Sequence, residues 1–157
     1  MPPTLTIRPG TSADVGEILT LQRAAYVSEA QLYDDAHLPA LVQSFDDLSV
    51  ELETSVSYVA TTTTGRIVGA VRVAQRDATA EVGRLVVAPD QQGRGVGSAL
   101  LEYVHSDTTA DIDRFELFTG DRSHANLRLY ERHGYREYER RPLTDGINLV
   151  YLERSRE

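Results

Sequence analysis

Leu85-Val86-Val87-Ala88-Pro89-Asp90-Gln91-Gln92-Gly93-Arg94-Gly95-Val96-Gly97-Ser98-Ala99-Leu100-Leu101 is the stretch that decides the fold. An apolar run of strand character stops at Pro89. A polar turn follows, and glycines at alternate positions lead into apolar residues at helical spacing, Val96, Leu100 and Val104. The reading is strand, glycine turn, helix. Glycine has no Cβ, so a ligand lies directly on the backbone of such a turn, and the free N–H donors and dipole of a helix start bind phosphate oxygens. The stretch therefore reads as a pyrophosphate cradle.

The residues between the glycines separate the types of cradle. A P-loop needs a lysine to reach the terminal phosphates, and the chain has none, its 16 basic residues all being arginine. A dinucleotide fingerprint needs G-x-G-x-x-G directly after the strand; here Ser98 stands at the last glycine position and the loop after Val87 is long. What remains is Gln-x-x-Gly-x-Gly, Gln92 to Gly97.

Outward from this stretch the chain alternates between the two periods. Leu5 to Arg8 reads as a first strand closed at Pro9-Gly10. Thr11 to Asp14 offers a cap and an acid for a helix with Val15, Ile18, Leu19, Gln22, Ala25 and Tyr26 on one face, running to about Ala30. Ser44 caps a second helix with Phe45, Leu48 and Leu52 as its stripe. Strands are expected near 56–61, 67–74 and 79–87, joined by short turns and hence antiparallel. After the glycine turn come a helix to about Ser106, a parallel strand at 113–119, a helix at 126–133 ended by Gly134 and capped by Ser123, and a closing hairpin of 135–140 with 147–152. The order is βααβββαβαββ: an α/β (α+β) fold with a mixed, mostly antiparallel sheet of six to seven strands and about four helices. No linker or repeat divides it, so 1–157 reads as one domain.

Composition narrows the function. The chain has 157 residues, 41% hydrophobic and 25% charged, as a soluble globular protein does. It lacks cysteine, which excludes a disulfide framework and any covalent cysteine acyl-enzyme. The net charge of −8 opposes nucleic acid as a partner and suits a cationic amine. The first residues lack the pattern of a secretory signal, and no segment approaches the roughly 18 apolar residues of a membrane span, so the expectation is a cytoplasmic protein with no membrane partner. The four histidines are scattered without ligand spacing, and no metal is expected.

Asn126-Leu127-Arg128-Leu129-Tyr130-Glu131-Arg132-His133-Gly134-Tyr135 places Leu-Tyr on a helix, followed by x-x-x-Gly-aromatic. Together with Gln92 to Gly97, and in the same element order, it resembles the two signatures of the GNAT superfamily of N-acetyltransferases, of the small single-domain bacterial type. The resemblance covers essentially the whole chain. It implies acetyl-CoA as cosubstrate, its pantetheine arm pairing with the backbone of Leu85, Val86 and Val87 and its pyrophosphate on the N–H groups from Gly93 through Ser98. Val96 and Gly97 lie within that run, Gln92 closes the turn, Arg94 supplies charge, and Asn126 contacts the coenzyme.

Tyr130 then matches the general acid that protonates the departing thiolate, and Glu81 the base acting through water, with Glu116 a weaker choice. The acceptor would lie against Tyr26, Tyr33, Asp34, Asp35 and His37, whose carboxylates suit a cation. Where some relatives carry asparagine and glutamate, this chain has Ser123 and Phe118, a departure from the ribosomal and N-terminal protein acetylases that use that glutamate. The expectation is direct transfer to a primary amine of a small molecule. A protein or peptide acetyltransferase and a non-catalytic acyl-CoA-sensing module are the alternatives, and a homodimer is compatible with each.

Overall fold

The period-two stretch from Val56 onward builds the first half of a sheet. In a computed structural model describing residues 4–156, β1 (Thr6–Pro9), β2 (Val56–Thr61), β3 (Ile67–Arg76) and β4 (Thr79–Val87) pair antiparallel in turn. The second half is β5 (Arg114–Gly120), β6 (Arg136–Thr144) and β7 (Ile147–Ser155), also antiparallel. The two halves join through a parallel contact of β4 with β5, giving the order β1-β2-β3-β4-β5-β7-β6. This is the mostly antiparallel GNAT architecture expected from the sequence, with seven strands.

Five α-helices accompany the sheet among the described residues: α1 (Val15–Tyr33), α2 (Pro39–Val42), α3 (Phe45–Thr54), α4 (Val96–Asp107) and α5 (His124–Arg132). The addition to the expected four is α2, a single turn. Pro39 stands at its start, where a fixed φ is an advantage and the missing N–H costs nothing. α1 runs on to Tyr33, beyond the expected end near Ala30, until Asp34 turns left-handed at φ +50°.

Helices cover both faces. Arg72 of β3 meets Gln22 of α1, while Gly69, at odd spacing and so on the opposite face, abuts Val96 and Leu100 of α4. The core runs through Val15, Ile18 and Leu19 of α1, Val59, Val68 and Val71 of the sheet, and Leu100, Leu101 and Val104 of α4. Of the α3 stripe, Leu48 is fully buried and Leu52 partly so. Phe45 stays half-exposed, its ring near Gly16.

Two polar locks fix helices to strands. Arg8 donates from both terminal nitrogens to Asp14 (2.8 and 2.9 Å), and the Thr11 N–H donates to the same carboxylate (2.8 Å), binding β1 to the start of α1. Behind α4, Arg154 donates to His105 Nδ1 (3.0 Å), which leaves the Nε2–H for the Tyr135 hydroxyl (2.8 Å). Burial and the adjacent Arg154 guanidinium pull His105 down to about 4, so the ring is neutral at neutral pH and this tautomer is the consistent one.

Candidate active site

β4 and β5 touch at one end and part at the other. Their parallel register runs Thr79↔Arg114, Ala80↔Phe115 and Glu81↔Glu116, then stops, although the strands continue to Val87 and Gly120. The cause is visible on β4: Arg72 pairs with Gly83 and Ala70 with Val86, so β4 carries an extra residue, a β-bulge that re-aims the strand. Arg84 lies in that bulge at φ +52°, a conformation that costs a residue with a Cβ about 1–2 kcal/mol. Past the bulge, the β5-facing edge of Leu85, Val86 and Val87 has no strand partner. These residues line a cleft of about 1380 Å³.

The glycine turn closes one end of the cleft. Gly93 and Gly95 stand at φ +76° and +83°, and Gly95 is the N-cap of α4 with no side-chain cap. The first bond of the helix runs from Ala99 N–H to the Gly95 carbonyl, leaving the N–H groups of Val96, Gly97 and Ser98 outside the helix's own ladder. Gln92 reaches back to the Val87 carbonyl at 3.4 Å, and Asn126 of α5 lines the opposite wall, its amide 3.4 Å from Thr119 Oγ1. Gln92, Gly93, Gly95, Val96, Gly97 and Ser98 all line the cleft. Arg94 does not: it is exposed, and the cleft is lined instead by Arg128 and Arg132 of α5. Backbone donors at a helix start with room above them fit a pyrophosphate.

Tyr130 lies buried under the wall of the cleft rather than on its surface, 7% exposed, with its ring 6.0 Å edge-on from Tyr135. Its hydroxyl makes no hydrogen bond among the described residues. Burial foremost, then the nearby Tyr26, Tyr135 and Glu29, raises its pKa above that of ordinary tyrosine, so it holds its proton. Glu81 lines the cleft where β4 and β5 part, its carboxylate taken by Arg76 at 2.8 Å. Glu116 opposite is committed to Arg114 at 2.5 Å and Arg76 at 3.5 Å.

The far end of the cleft is the expected acceptor side. Tyr26, Tyr33, Asp34 and Asp35 line it, whereas His37 lines an adjoining shallow hollow instead. Tyr33 is fixed by a relay. The Arg122 N–H donates to the Tyr33 hydroxyl (3.0 Å), which donates to Ser123 Oγ (2.7 Å), which donates to Glu29 (2.7 Å). Ser123 stands at the N-cap of α5, as expected, but its hydroxyl makes no capping bond: its oxygen accepts from Tyr33 and its proton goes to Glu29. Gly120 makes room for this packing, since a methyl there would overlap the Tyr33 ring.

Sequence reasoning missed three lining residues of consequence: Glu29, Glu51 and Arg72. Glu29 and Glu51 sit on helices whose charged positions look solvated, and Arg72 interrupts a buried strand, which was the available signal. Among the described residues no cluster of His, Cys, Asp and Glu could hold a metal ion, and no helix is long and apolar enough to cross a membrane.

The parted parallel strand pair thus opens onto a run of free backbone donors at the start of α4. The sequence profile of the Acetyltransferase (GNAT) domain matches residues 53–137, just over half of the chain. The chain belongs to the GNAT acetyltransferase family. It is 28% identical over 133 residues to the UPF0157 protein YqkA of Bacillus subtilis, covering 85% of this chain but only 38% of that protein. Two solved structures share the fold. One is a putative phosphinothricin N-acetyltransferase (TM-score 0.81, 22% identity, 98% of this chain and 99% of that one). The other is the ribosomal-protein-S18-alanine N-acetyltransferase of Escherichia coli (TM-score 0.80, 20% identity, 97% and 94%).

Proposed function

We propose that this chain transfers an acetyl group from acetyl-CoA directly to a primary amine of a small molecule. The observation that carries the reading is the unpaired edge of Leu85 to Val87 running straight into the uncapped start of α4, with Tyr130 on α5, the helix of the opposite wall. An extended thioester arm would add to that edge as a strand does, and the N–H groups of Val96, Gly97 and Ser98 would receive its pyrophosphate.

Acetyl-CoA supplies the activated thioester. The protein's part is to free the amine of its proton, stabilise the developing oxyanion and protonate the leaving sulfur. The backbone N–H of Val87 faces the unpaired edge and would donate to the oxyanion, since strand alternation turns that of Val86 toward Ala70 of β3. Tyr130 keeps its proton at working pH and donates it to the thiolate. The amine's proton passes to a cleft carboxylate, Glu81 or Glu29, through water. The acceptor enters between the end of α1 and the β6–β7 turn, where Thr144 and Asp145 line the cleft.

Calorimetry with acetyl-CoA, paired with thiol release over a set of amines, tests the reading. One site per chain is expected, with affinity falling about tenfold or more in Gly95→Val, whose branched side chain is strained at φ +83°, while the variant still unfolds cooperatively. Absence of acetyl-CoA binding by the parent chain would end the reading, and binding without thiol release would leave a sensing module.

A further inference from the structure

Two arginines, Arg72 and Arg84, stand together among the acidic residues at the acceptor end of the cleft. Arg72 sits on its floor with a side chain only 8% exposed. A guanidinium has five N–H donors, yet Arg72 makes one long hydrogen bond, 3.3 Å to Gln22 Oε1, and a loose ion pair, 3.5 Å to Glu51. Glu51's short bond, 2.6 Å, comes from Gln43 instead. Directly across the strand pair stands Gly83, where even a Cβ would meet open space. The donors of Arg72 therefore face an empty volume rather than a protein acceptor.

Arg84 adds a second cation. The bulge swings it over the Tyr26 ring (6.0 Å), within electrostatic range of Arg72, and it makes no ion pair among the described residues. Two guanidiniums near each other repel, and Glu51, held loosely at 3.5 Å and bonded more closely by Gln43, leaves most of the Arg72 donors for a further anion. Tyr26, whose ring lies beneath Arg84, is close enough to act electrostatically on both Arg72 and Tyr130. On the Tyr130 side stands Glu29, a carboxylate.

We propose that Arg72 and Arg84 form an oxyanion subsite, so that the acceptor is a zwitterionic, amino-acid-like amine whose anionic group binds these arginines while its amine lies toward Tyr130. The proposal rests on the amine-acetylating reading and narrows its substrate class. Arginine is suited to the task because its planar fork meets carboxylate and phosphonate oxygens in pairs.

The test is thiol release with acetyl-CoA on L-amino acids, the matching L-amino amides, 1-aminoalkylphosphonates and spermidine. The best acid is expected to exceed its amide and spermidine in kcat/KM by about tenfold or more. In Arg72→Gln the KM for that acid should rise about tenfold while the KM for acetyl-CoA stays unchanged. Because Arg72 is buried, Arg84→Gln is measured alongside as the variant whose folding is not at stake. The carboxylate and phosphonate arms tell which oxyanion is read. Equal use of amides or spermidine, an unchanged acid KM in both variants, or acetyl-CoA binding with nothing in the set acetylated would each overturn the subsite. If acetyl-CoA does not bind at all, the transfer reading falls by itself. The subsite is then judged by calorimetric titration of the same acids: binding weakened in Arg84→Gln sustains it, and no binding overturns it.

Discussion

Tyr130 shows how one side chain acquires a role from its surroundings. Its phenol is buried, shifted upward mainly by desolvation, and free of any internal acceptor, so its proton is available to a leaving group. An acid works only while protonated, and the upward shift moves its loss beyond the ordinary tyrosine value of about 10. Tyr130→Phe should lower turnover about tenfold or more, the usual range for loss of a general acid, with acetyl-CoA affinity nearly unchanged. The parent's kcat should show no downward limb as pH rises to 9.5. A limb at lower pH that Tyr130→Phe abolishes would mean a lower hydroxyl pKa than the burial implies. Tyr130 could be singled out in the sequence because it sits in a motif on a helix. Arg72 could not, because a strand's alternation says which face a residue takes and nothing about how many of its donors are satisfied there.

Elements were easier to read than residues, and the exceptions have causes. The Thr11 to Asp14 signal was visible as a helix start, and its acid does more than cap, since it also closes the fork from Arg8. Those bonds hold Asp14 down at about 2. A lowered carboxylate stabilises the folded chain above its unfolded value near 3.9, and the contribution fades as pH falls toward 2. Asp14→Ala should therefore cost about 1–2 kcal/mol at pH 7 after allowance for the partly exposed Arg8. In urea titrations the gap to the parent should narrow between pH 4 and pH 2; a gap independent of pH would mean that the loss does not come from the ionised carboxylate. The β4 bulge was the element that escaped. Nothing marks it locally, because the left-handed position falls on Arg84 rather than on neighbouring Gly83, and only the register against β3 reveals the extra residue.

At the scale of the whole molecule the sheet is one body at its base and two at its mouth. The base is sewn by the three β4–β5 pairs and by Arg114, which spans Glu116 and Glu153 of adjoining strands. At the mouth, β4 carries the cradle and α4 while β5 leads into α5 with Tyr130, so only a few contacts, such as Ser98 to His133 at 3.0 Å, tie the walls together. A cosubstrate seated there would bridge the halves, and by binding the folded state alone would raise stability by an amount that grows with the logarithm of its concentration. Amide exchange should then slow at Leu85, Val86, Val87 and the first turn of α4 on addition of acetyl-CoA. The outer strands β1 and β2, already paired and distant from the mouth, should change only with global stability. Slowing spread evenly over all strands would mean that the ligand stabilises the fold without occupying the gap. Slowing confined to Leu85 through Ser98 would place it in the parting that the bulge at Arg84 creates.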